Sequence, residues 1–288
     1  MEMLQQRVYG ILGGDKRQIY LARAMAADGH EVRVSCLERG EGLDSLPQVG
    51  PEKLAADCDC ILLPLPATKD GKTLNTPLSE VEIPLDDNFA VLFSGKKVYG
   101  GMMEKLLQTS PLWDSVSAFD YYAREELLTG NAFLTAEGAL GLAIAEYEGA
   151  LNSSRILVTG FGRIGKALCM GLKGSGARVY CAARKLSDLT AIRAMGCTPM
   201  RYEDLKDAYD VIFNTVPTEV LTAQRLSCQR PDTLLIELAS KPGGIDLKAA
   251  RRLGLRVKEA PSLPGRMSPR AAGELIKDTI YHLIEETA

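Results

Sequence analysis

The chain is poor in the residues on which many catalytic and metal sites depend. Its 288 residues include two histidines, one tryptophan and seven cysteines. The cysteines are odd in number and irregularly spaced, which argues against a disulfide framework in a chain of this size. Two histidines are too few to complete a metal site with these scattered cysteines, so no metal is expected. Covalent thiol catalysis is not expected either, because no histidine can be assigned as the general base of a cysteine nucleophile.

Long hydrophobic runs are missing as well. The longest, such as Ile61–Leu65 and Leu234–Ile236, suit buried strands and fall far short of the roughly 18 residues that a membrane span requires. The N-terminus shows neither the basic start nor the long apolar segment of a signal peptide. The net charge of −3 provides no basic field for nucleic acid. We therefore expect a cytoplasmic protein that acts on a small molecule, not on a membrane or a nucleic acid.

The sequence does contain a regular alternation of short apolar runs and helical segments. Runs that suit strands include Val32–Cys36, Ala90–Phe93, Ile156–Thr159 and Val211–Asn214. Residues 66–88 break the rhythm with glycine, proline and acidic residues, and we expect a loop or a small hairpin there. The alternation predicts an α/β fold with two doubly wound parallel-sheet domains.

The length of the chain also favours two domains. Residues 131–150 carry alanine and leucine at helical spacing and are interpreted as a linker helix between a first domain, 1–130, and a second domain, 151–267. The final segment, 268–288, opens with a serine–proline pair that is typical of a helix start. We expect this helix to pack back on the first domain and complete it.

The second domain opens with a glycine pattern, Gly160-x-Gly162-x-x-Gly165, between a strand and a helix. In a dinucleotide-binding fold the first glycine permits a tight turn, the second admits the pyrophosphate, and the third lets helix and strand pack closely. Arg163 and Ile164 would then contribute to the phosphate site at the start of the helix. The pattern predicts a dinucleotide site.

A competing glycine turn follows the first strand, where Gly10, Gly13 and Gly14 precede Asp15. This turn lacks the dinucleotide spacing, and the carboxylate of Asp15 would lie where a phosphate should bind. Asp15 is better suited to cap its own helix. Arg17, in the first turn of that helix, is a candidate clamp for a substrate carboxylate, with a solvated surface role as the alternative.

The strand after the glycine pattern ends in two cations, Arg184 and Lys185, and no acid follows until Asp188. An acid at this place binds the ribose 2′-hydroxyl of NAD, whereas an arginine accommodates the 2′-phosphate of NADP. We therefore expect NADP, with NAD as the less favoured cofactor. Two later turns follow strands and are expected to reach the cofactor as well. They contribute Asn214, Thr215, Val216, Pro217, Ala239 and Ser240.

Neither histidine lies beside a motif of the expected cleft, so other residues are the candidates for acid–base chemistry. His30 lies at a turn and His282 in the last helix, so a histidine base of the usual hydroxyacid dehydrogenase kind is not expected. The segment Phe93-Ser94-Gly95 is interpreted as the end of a strand that faces a cleft between the domains, where Ser94, Gly95 and Thr68 would bind substrate. The candidates for catalysis are Glu137, Lys241, Thr135 and Ser94.

An ordered set of motifs resembles the family of dipicolinate synthase A subunits over nearly the whole chain. The glycine fingerprint alone is shared by many folds, but the complete ordered set is far more specific. The motifs are GGDKRQ, LPLPAT, LFSG, TAEGALGLAI, VTGFGRIGKAL, AARK, NTVP, LASKPGGID and APSLPGRMSPRAAGELI.

This resemblance implies a flavodoxin-like first domain, a Rossmann second domain and, as partner, the flavoprotein-like B subunit of dipicolinate synthase, in the mother cell of a sporulating bacterium. It implies oxidation of a cyclic dicarboxylate, dihydrodipicolinate or its hydroxy-tetrahydro precursor, to dipicolinate, with hydride transfer to NADP in the cleft between the domains. Arg17, Arg266 and Arg270 would provide cations for the carboxylates. The family more often has lysine in place of Arg270 and threonine in place of Ala271, and this departure puts the clamp in question.

Two alternatives remain open at this stage. A related dehydrogenase of the methylene-tetrahydrofolate or shikimate kind would share the linker helix. An NADP-binding redox sensor or scaffold subunit without turnover would fit the shortage of histidine chemistry. Homo-oligomer formation is possible in each case.

Overall fold

Two parallel sheets organise the chain in the computed structural model, which describes residues 7–287. Contacts divide the chain into two units. The first unit comprises the residues up to Asn131 together with those from Ser268, and the second comprises Ala132–Met267. Each unit has its own sheet and its own hydrophobic core.

The first unit, within the described residues, contains a five-stranded parallel sheet. The strands lie in the order β2-β1-β3-β4-β5, which is the flavodoxin-like order. They are β1 (Val8–Leu12), β2 (Glu31–Ser35), β3 (Cys60–Leu62), β4 (Lys97–Gly100) and β5 (Ser117–Asp120).

The second unit contains a six-stranded parallel sheet in the order β11-β10-β9-β6-β7-β8. Counted within the unit and read from its other edge, this is the 3-2-1-4-5-6 order of the Rossmann fold. The strands are β6 (Arg155–Thr159), β7 (Arg178–Ala182), β8 (Thr198–Met200), β9 (Val211–Asn214), β10 (Leu234–Glu237) and β11 (Arg256–Glu259).

Helices connect these strands, as parallel pairing requires. Three short 3-10 turns, at Pro111–Ser115, Tyr121–Ala123 and Tyr202–Asp204, complete the described elements. The helices are α1 (Lys16–Ala27), α2 (Pro51–Asp57), α3 (Asp87–Val91), α4 (Glu104–Leu107), α5 (Glu125–Glu146), α6 (Arg163–Gly174), α7 (Leu186–Ala194), α8 (Ala223–Leu226), α9 (Leu247–Arg252), α10 (Leu263–Met267) and α11 (Pro269–Glu286).

The last helix, α11, packs against α1 in the first unit. Ile276 and Ile280 of α11 share a buried cluster with Ile19 and Leu21 of α1. The two helices approach closely at Gly273, where a Cβ atom would lie 2.5 Å from the carbonyl oxygen of Arg17. A side chain at this position would therefore force the two helices apart.

The segment Ala90–Phe93, which the apolar pattern indicates as a strand, is the end of a helix and the turn after it. Asp86 caps α3 by accepting a hydrogen bond from the Phe89 amide. Phe89 and Phe93 are one helical turn apart, and their rings meet edge to face at 5.0 Å. The prediction of a strand was wrong because a short apolar run does not distinguish a strand from a buried helix.

The expected break at residues 66–88 is a loop closed by one antiparallel bridge, between Thr73 and Pro84. Backbone hydrogen bonds from Leu74 to Ile83 and from Leu85 to Lys72 flank the bridge. The loop ends where Asp86 starts α3.

Helix α5 begins at Glu125 and ends at Glu146, so both of its ends lie earlier than those of the predicted linker helix, 131–150. It is the one helix, among the residues described, with the length and apolar composition to cross a membrane. Its Ala136, Ala139 and Ala143 lie in the core of the second unit. A core helix of a water-soluble protein passes the same test, so this is weak evidence for a membrane span.

Candidate functional site

The three glycines after β6 have the distinct environments that a dinucleotide site requires. Gly160 has a φ of +94°, and a Cβ atom there would lie 2.5 Å from Oγ1 of Thr215. A Cβ atom on Gly165 would overlap the carbonyl oxygen of Gly160, whereas one on Gly162 would meet nothing within 4 Å. The first and third glycines are therefore needed for the turn and its packing, and the second leaves a space that a pyrophosphate can occupy.

Helix α6 presents its N-terminus to this space. Gly162 is the N-cap, and its carbonyl accepts the first helical hydrogen bond, from the Lys166 amide at 2.9 Å. The amides of Arg163 and Ile164 belong to the first turn, which has no intrahelical acceptors and contains no acidic residue. The helix dipole adds to the attraction for an anion. The cradle therefore fits the diphosphate of a dinucleotide.

The competing glycine turn in the first unit is already occupied by its own carboxylate. Asp15 caps α1 by accepting a hydrogen bond from the Arg17 amide at 3.0 Å, and Gln18 completes a capping box. The prediction that Asp15 caps its helix is confirmed. A phosphate at this helix end would have to displace a carboxylate.

Arg17 is buried, and its guanidinium is used inside the first unit. Nε and Nη2 each donate to Asp15 at 2.9 Å, and Nη2 also donates to the carbonyl of Leu65. A substrate carboxylate would have to compete with this bidentate pair. The geometry therefore gives no support to Arg17 as a substrate clamp.

A buried hydrogen-bond network joins the carboxyl ends of β6, β9 and β10. The hydroxyl of Thr159 donates to Oδ1 of Asn214 at 2.5 Å, and the Asn214 amide donates to Oε1 of Glu237 at 2.6 Å. Asn214 also donates to the carbonyl of Val216 at 2.9 Å, which fixes the turn that follows β9. These contacts place Thr215 and Val216 directly against the glycine turn.

Glu237, which none of the sequence patterns singled out, holds the loop after β10 through its buried carboxylate. Its Oε1 also accepts from the Ala239 amide at 3.0 Å, and its Oε2 accepts from the amides of Gly244 and Ile245 at 2.9 and 3.1 Å. The carboxylate thus fixes the loop that contains Ala239 and the exposed Ser240. The sequence did contain a signal for this residue, because Glu237 is an acid at the end of the otherwise apolar strand β10.

Arg184 and Lys185 follow β7 and are both exposed. Lys185 is the N-cap of α7, and Pro217 is exposed beyond the end of β9. All the predicted cofactor residues therefore lie in the second unit, at or next to the carboxyl ends of parallel strands. Ligands of open α/β sheets bind at this edge.

The predicted catalytic residues of the second unit are spread over two elements. Thr135 is buried and Glu137 is exposed on α5, and residues two apart on a helix do not face each other. Lys241 is exposed in the loop after β10 and forms a cis peptide with Pro242. The described contacts do not bring the three side chains together.

Ser94 and Gly95 lie in the turn that precedes β4. This is the amino edge of the first sheet, opposite the edge where parallel sheets bind ligands. The interpretation of this segment as a strand end was wrong, since α3 replaces the strand. The basis for Ser94 as a catalytic or binding residue and for Gly95 as a binding residue is therefore lost.

The remaining predicted substrate residues have different surroundings. Thr68 is buried, and its hydroxyl donates to Asp70 at 3.2 Å and accepts from the Gly71 amide at 3.0 Å. Arg266 is exposed on α10 and donates to the carbonyl of Pro261 at 3.4 Å. Arg270 is exposed in the first turn of α11, where Nε lies 3.7 Å from Glu274.

A cavity of about 510 Å³ lies at the carboxyl edge of the first sheet. Thr68, Lys69 and Lys105 line it together with Asp120 and Tyr122. The carboxylate of Asp120 accepts hydrogen bonds from the amides of Met102, Met103 and Tyr122, at 3.1, 2.9 and 2.8 Å. Three amides thus satisfy the Asp120 carboxylate. The two lysines are the cations of the cavity, and Glu104 adds a second carboxylate to its lining.

Two family models match the two units. Residues 8–121 match the model described as the N-terminal domain of the dipicolinate synthase A subunit. Residues 130–241 match the model described as D-isomer specific 2-hydroxyacid dehydrogenase, NAD binding domain. The second unit is thus a nicotinamide-nucleotide-binding domain of the oxidoreductase type.

Individual relatives match along the whole chain. The dipicolinate synthase A subunit of Bacillus subtilis (strain 168) is 28% identical over an alignment of 297 residues, which covers 99% of this chain and 98% of that protein. The crystal structure of the dipicolinate synthase A chain from Bacillus subtilis has a TM-score of 0.83 at 26% identity and covers 99% of this chain and 97% of that one.

Two further structures agree with this fold. The dipicolinate synthase A subunit from Bacillus halodurans has a TM-score of 0.83 at 26% identity, over 96% of this chain and 97% of that one. The transhydrogenase from Sinorhizobium meliloti, at 16% identity and a TM-score of 0.70, covers 97% and 92% and shares the fold. From its first strand to its last helix, the chain is a relative of the dipicolinate synthase A subunits, and its second unit is a dehydrogenase-type nucleotide-binding domain.

Proposed function

We propose that the protein is the NADP-binding subunit of a dipicolinate synthase. It oxidises dihydrodipicolinate, or the hydroxy-tetrahydro precursor of that compound, to dipicolinate. The observation that carries the proposal is the glycine cradle of Gly160, Gly162 and Gly165, in a chain similar to this family over 99% of its length. NADP+, when bound, supplies the hydride acceptor.

The cofactor is held by backbone groups and by two cations. The amides at the start of α6 bind the diphosphate, and the turns fixed by Asn214 and Glu237 line the neighbouring surface. Arg184 and Lys185 bind the 2′-phosphate, which carries nearly two negative charges. Because no acid precedes Asp188, the strand end offers no carboxylate to bind the ribose 2′-hydroxyl of NAD, and this disfavours NAD as the cofactor.

The substrate carries two carboxylates and needs cations or hydrogen-bond donors. Arg266 and Arg270 are exposed and remain our candidates from the sequence. The cavity beside Thr68 adds Lys69 and Lys105 at the carboxyl edge of the first sheet. Arg17 does not belong to this set, because Asp15 neutralises it.

The reaction makes modest demands on acid–base groups. For dihydrodipicolinate, loss of a hydride and a proton from the ring gives the aromatic pyridine, and aromatisation drives the step. For the hydroxy-tetrahydro precursor, loss of water accompanies the oxidation. Glu137, Thr135 and Lys241 stay our candidates for handling the proton. The B subunit of the synthase is the partner that the relatives' name implies, and the cytoplasm of the mother cell is the proposed location.

The proposal is tested by mixing the purified protein with NADP+ and dihydrodipicolinate freshly generated by a lysine-pathway synthase, with and without the B subunit. Growth of the NADPH absorbance band together with dipicolinate supports the oxidation. Tight NADP+ binding without NADPH formation in either mixture would instead favour a sensor or scaffold role. If the protein does not bind NADP+ at all, the assignment of NADP as its cofactor is wrong.

A further inference from the structure

We propose that Tyr202 and Arg225 form, with Arg184, the pocket that recognises the 2′-phosphate end of NADP. The inference rests on the proposed function, since it assumes that the second unit binds NADP. It adds two residues that follow β8 and β9, whereas the sequence pattern drew attention to the end of β7 alone.

Tyr202 lies where the end of β7 meets the glycine turn. It belongs to the 3-10 turn after β8, and its hydroxyl donates to the carbonyl of Ala182 at 3.3 Å. The same carbonyl accepts from the Gly160 amide at 2.9 Å. In this fold the adenosine ribose lies at the end of the second strand, which is β7 here. Tyr202 therefore borders the expected ribose site from a neighbouring strand.

The ring of Tyr202 is held firmly in this place. It is half-buried and packs against the cluster that contains Ala182 and Leu205. Burial raises the pKa of Tyr202, so its hydroxyl remains a neutral donor, while the charge of nearby Arg184 acts to lower that pKa. The ring thus offers a fixed surface beside the first of the two strand-end cations.

Arg225 reaches this surface from α8. Its Cζ lies 6.0 Å from the centroid of the Tyr202 ring, and its Nη1 donates to the carbonyl of Val220 at 2.6 Å. A guanidinium has five N–H donors in a fixed fork, so the carbonyl occupies only part of its capacity. The ring and the carbonyl hold the guanidinium in position and leave donors for an anion.

Arg225 differs in its ion pairing from Arg155, another arginine of the same unit that lies over tyrosine rings. Arg155 lies over the rings of Tyr180 and Tyr209, at 5.2 and 5.6 Å, and pairs with Asp207 at 2.7 Å. Within residues 7–287, no carboxylate lies within ion-pair distance of Arg225, although this arginine is half-buried. A dianionic phosphate would supply the missing counter-charge through charge-assisted hydrogen bonds.

The test compares two small probes, 2′,5′-ADP and 5′-AMP, which differ only in the 2′-phosphate, by isothermal titration calorimetry. Arg225→Gln should raise the Kd for 2′,5′-ADP about tenfold or more and leave the Kd for 5′-AMP within about twofold. Tyr202→Leu should act in the same direction because it removes the ring under the guanidinium, whereas Tyr202→Phe should retain most of the affinity.

The matched control is Arg252→Gln, which removes the same charge from an exposed residue. Arg252 ends α9 just ahead of β11, at the amino edge of the sheet, so both affinities should stay unchanged. Thermal unfolding of each variant checks that it is folded, and Arg225→Lys, which keeps the charge without the fork, should bind 2′,5′-ADP with intermediate affinity.

The outcomes separate this inference from the proposed function. If the unaltered protein fails to bind 2′,5′-ADP, the proposed NADP site itself is wrong. If it binds, and Arg184→Gln weakens binding while a folded Arg225→Gln does not, the pocket proposed here is wrong and the NADP site stands. An equal loss for both probes in Arg225→Gln would also overturn recognition of the 2′-phosphate.

Discussion

The side-chain amide of Asn214 donates a 2.6 Å hydrogen bond to Oε1 of Glu237, and the two residues end neighbouring strands in matched register. Each oxygen of this buried carboxylate accepts two hydrogen bonds, all of them from N–H donors. The arrangement ties the turn after β9 to the loop after β10. Thr215 and Val216, in the turn after β9, lie directly against Gly160 of the proposed cofactor site.

Glu237→Gln should destabilise the second unit although it preserves the shape of the side chain. One oxygen becomes an NH2 group that faces backbone donors, and buried donors left without acceptors cost about 1–3 kcal/mol each. We expect a loss of about 2 kcal/mol or more in the free energy of unfolding, measured by urea denaturation. Glu259→Gln is the matched control, because Glu259 is the exposed partner in register on β11. A similar small change in both variants would contradict the role given to Glu237.

The glycine turn could be predicted from the sequence, and the carboxylate network could not. The turn depends on residues within six positions of one another, between a strand and a helix that both have clear patterns. The bond between Asn214 and Glu237 depends on which strands are neighbours and in what register, and no local pattern contains that information.

The errors in the first unit have a different cause. Ala90–Phe93 is too short for its periodicity to decide between helix and strand, and the cap at Asp86 decides in favour of the helix. Arg17 was correctly placed in the first turn of α1, but its pairing with Asp15 uses the guanidinium that the clamp would need. The local sequence predicts the position of such a residue in its helix, whereas the folded structure determines which group its side chain binds.

Gly162 and Gly165 should respond differently to alanine. Gly162→Ala places a methyl group in the open cradle, so it should leave thermal stability unchanged and raise the Kd for NADP+ about tenfold or more. Gly165→Ala should cost about 2 kcal/mol or more of folding free energy, because its methyl group overlaps the Gly160 carbonyl. Calorimetric titration and urea denaturation measure the two effects.

Gly174→Ala is the control for both glycine variants. Gly174 ends the same helix, and a Cβ atom there meets nothing within 4 Å. Binding and stability should both be retained. Normal NADP+ affinity in Gly162→Ala would show that the diphosphate does not use this cradle.

Arg184→Asp should shift cofactor preference from NADP to NAD. The new carboxylate repels the 2′-phosphate and can accept hydrogen bonds from the ribose hydroxyls of NAD. We expect the Kd for NADPH to rise about tenfold or more and the Kd for NADH to fall, in titrations followed by nicotinamide fluorescence. Arg178→Asp makes the same charge change at the exposed amino end of β7 and should alter neither value. An equal loss for both cofactors would refute the role of Arg184.

His30 should make the stability of the first unit depend on pH. Burial lowers the pKa of His30. The charges of Arg7 and Lys277 also lower this pKa, and the charge of Asp28 raises it. The ring meets Tyr9 at 5.0 Å and Tyr281 at 5.6 Å, both edge to face. The folded protein therefore favours the neutral ring, and the unfolded chain takes up a proton first as the pH falls.

The free energy of unfolding should consequently fall as the pH is lowered from 8 through about 6.5, the ordinary pKa of histidine, towards the lower pKa of folded His30. His30→Phe keeps an aromatic ring between the tyrosines and should reduce the slope in this range. His282→Gln removes the other, exposed histidine of the chain and should leave the slope in place. Urea denaturation of the three proteins at a series of pH values measures this. Equal slopes in the unaltered protein and His30→Phe would show that His30 does not take part.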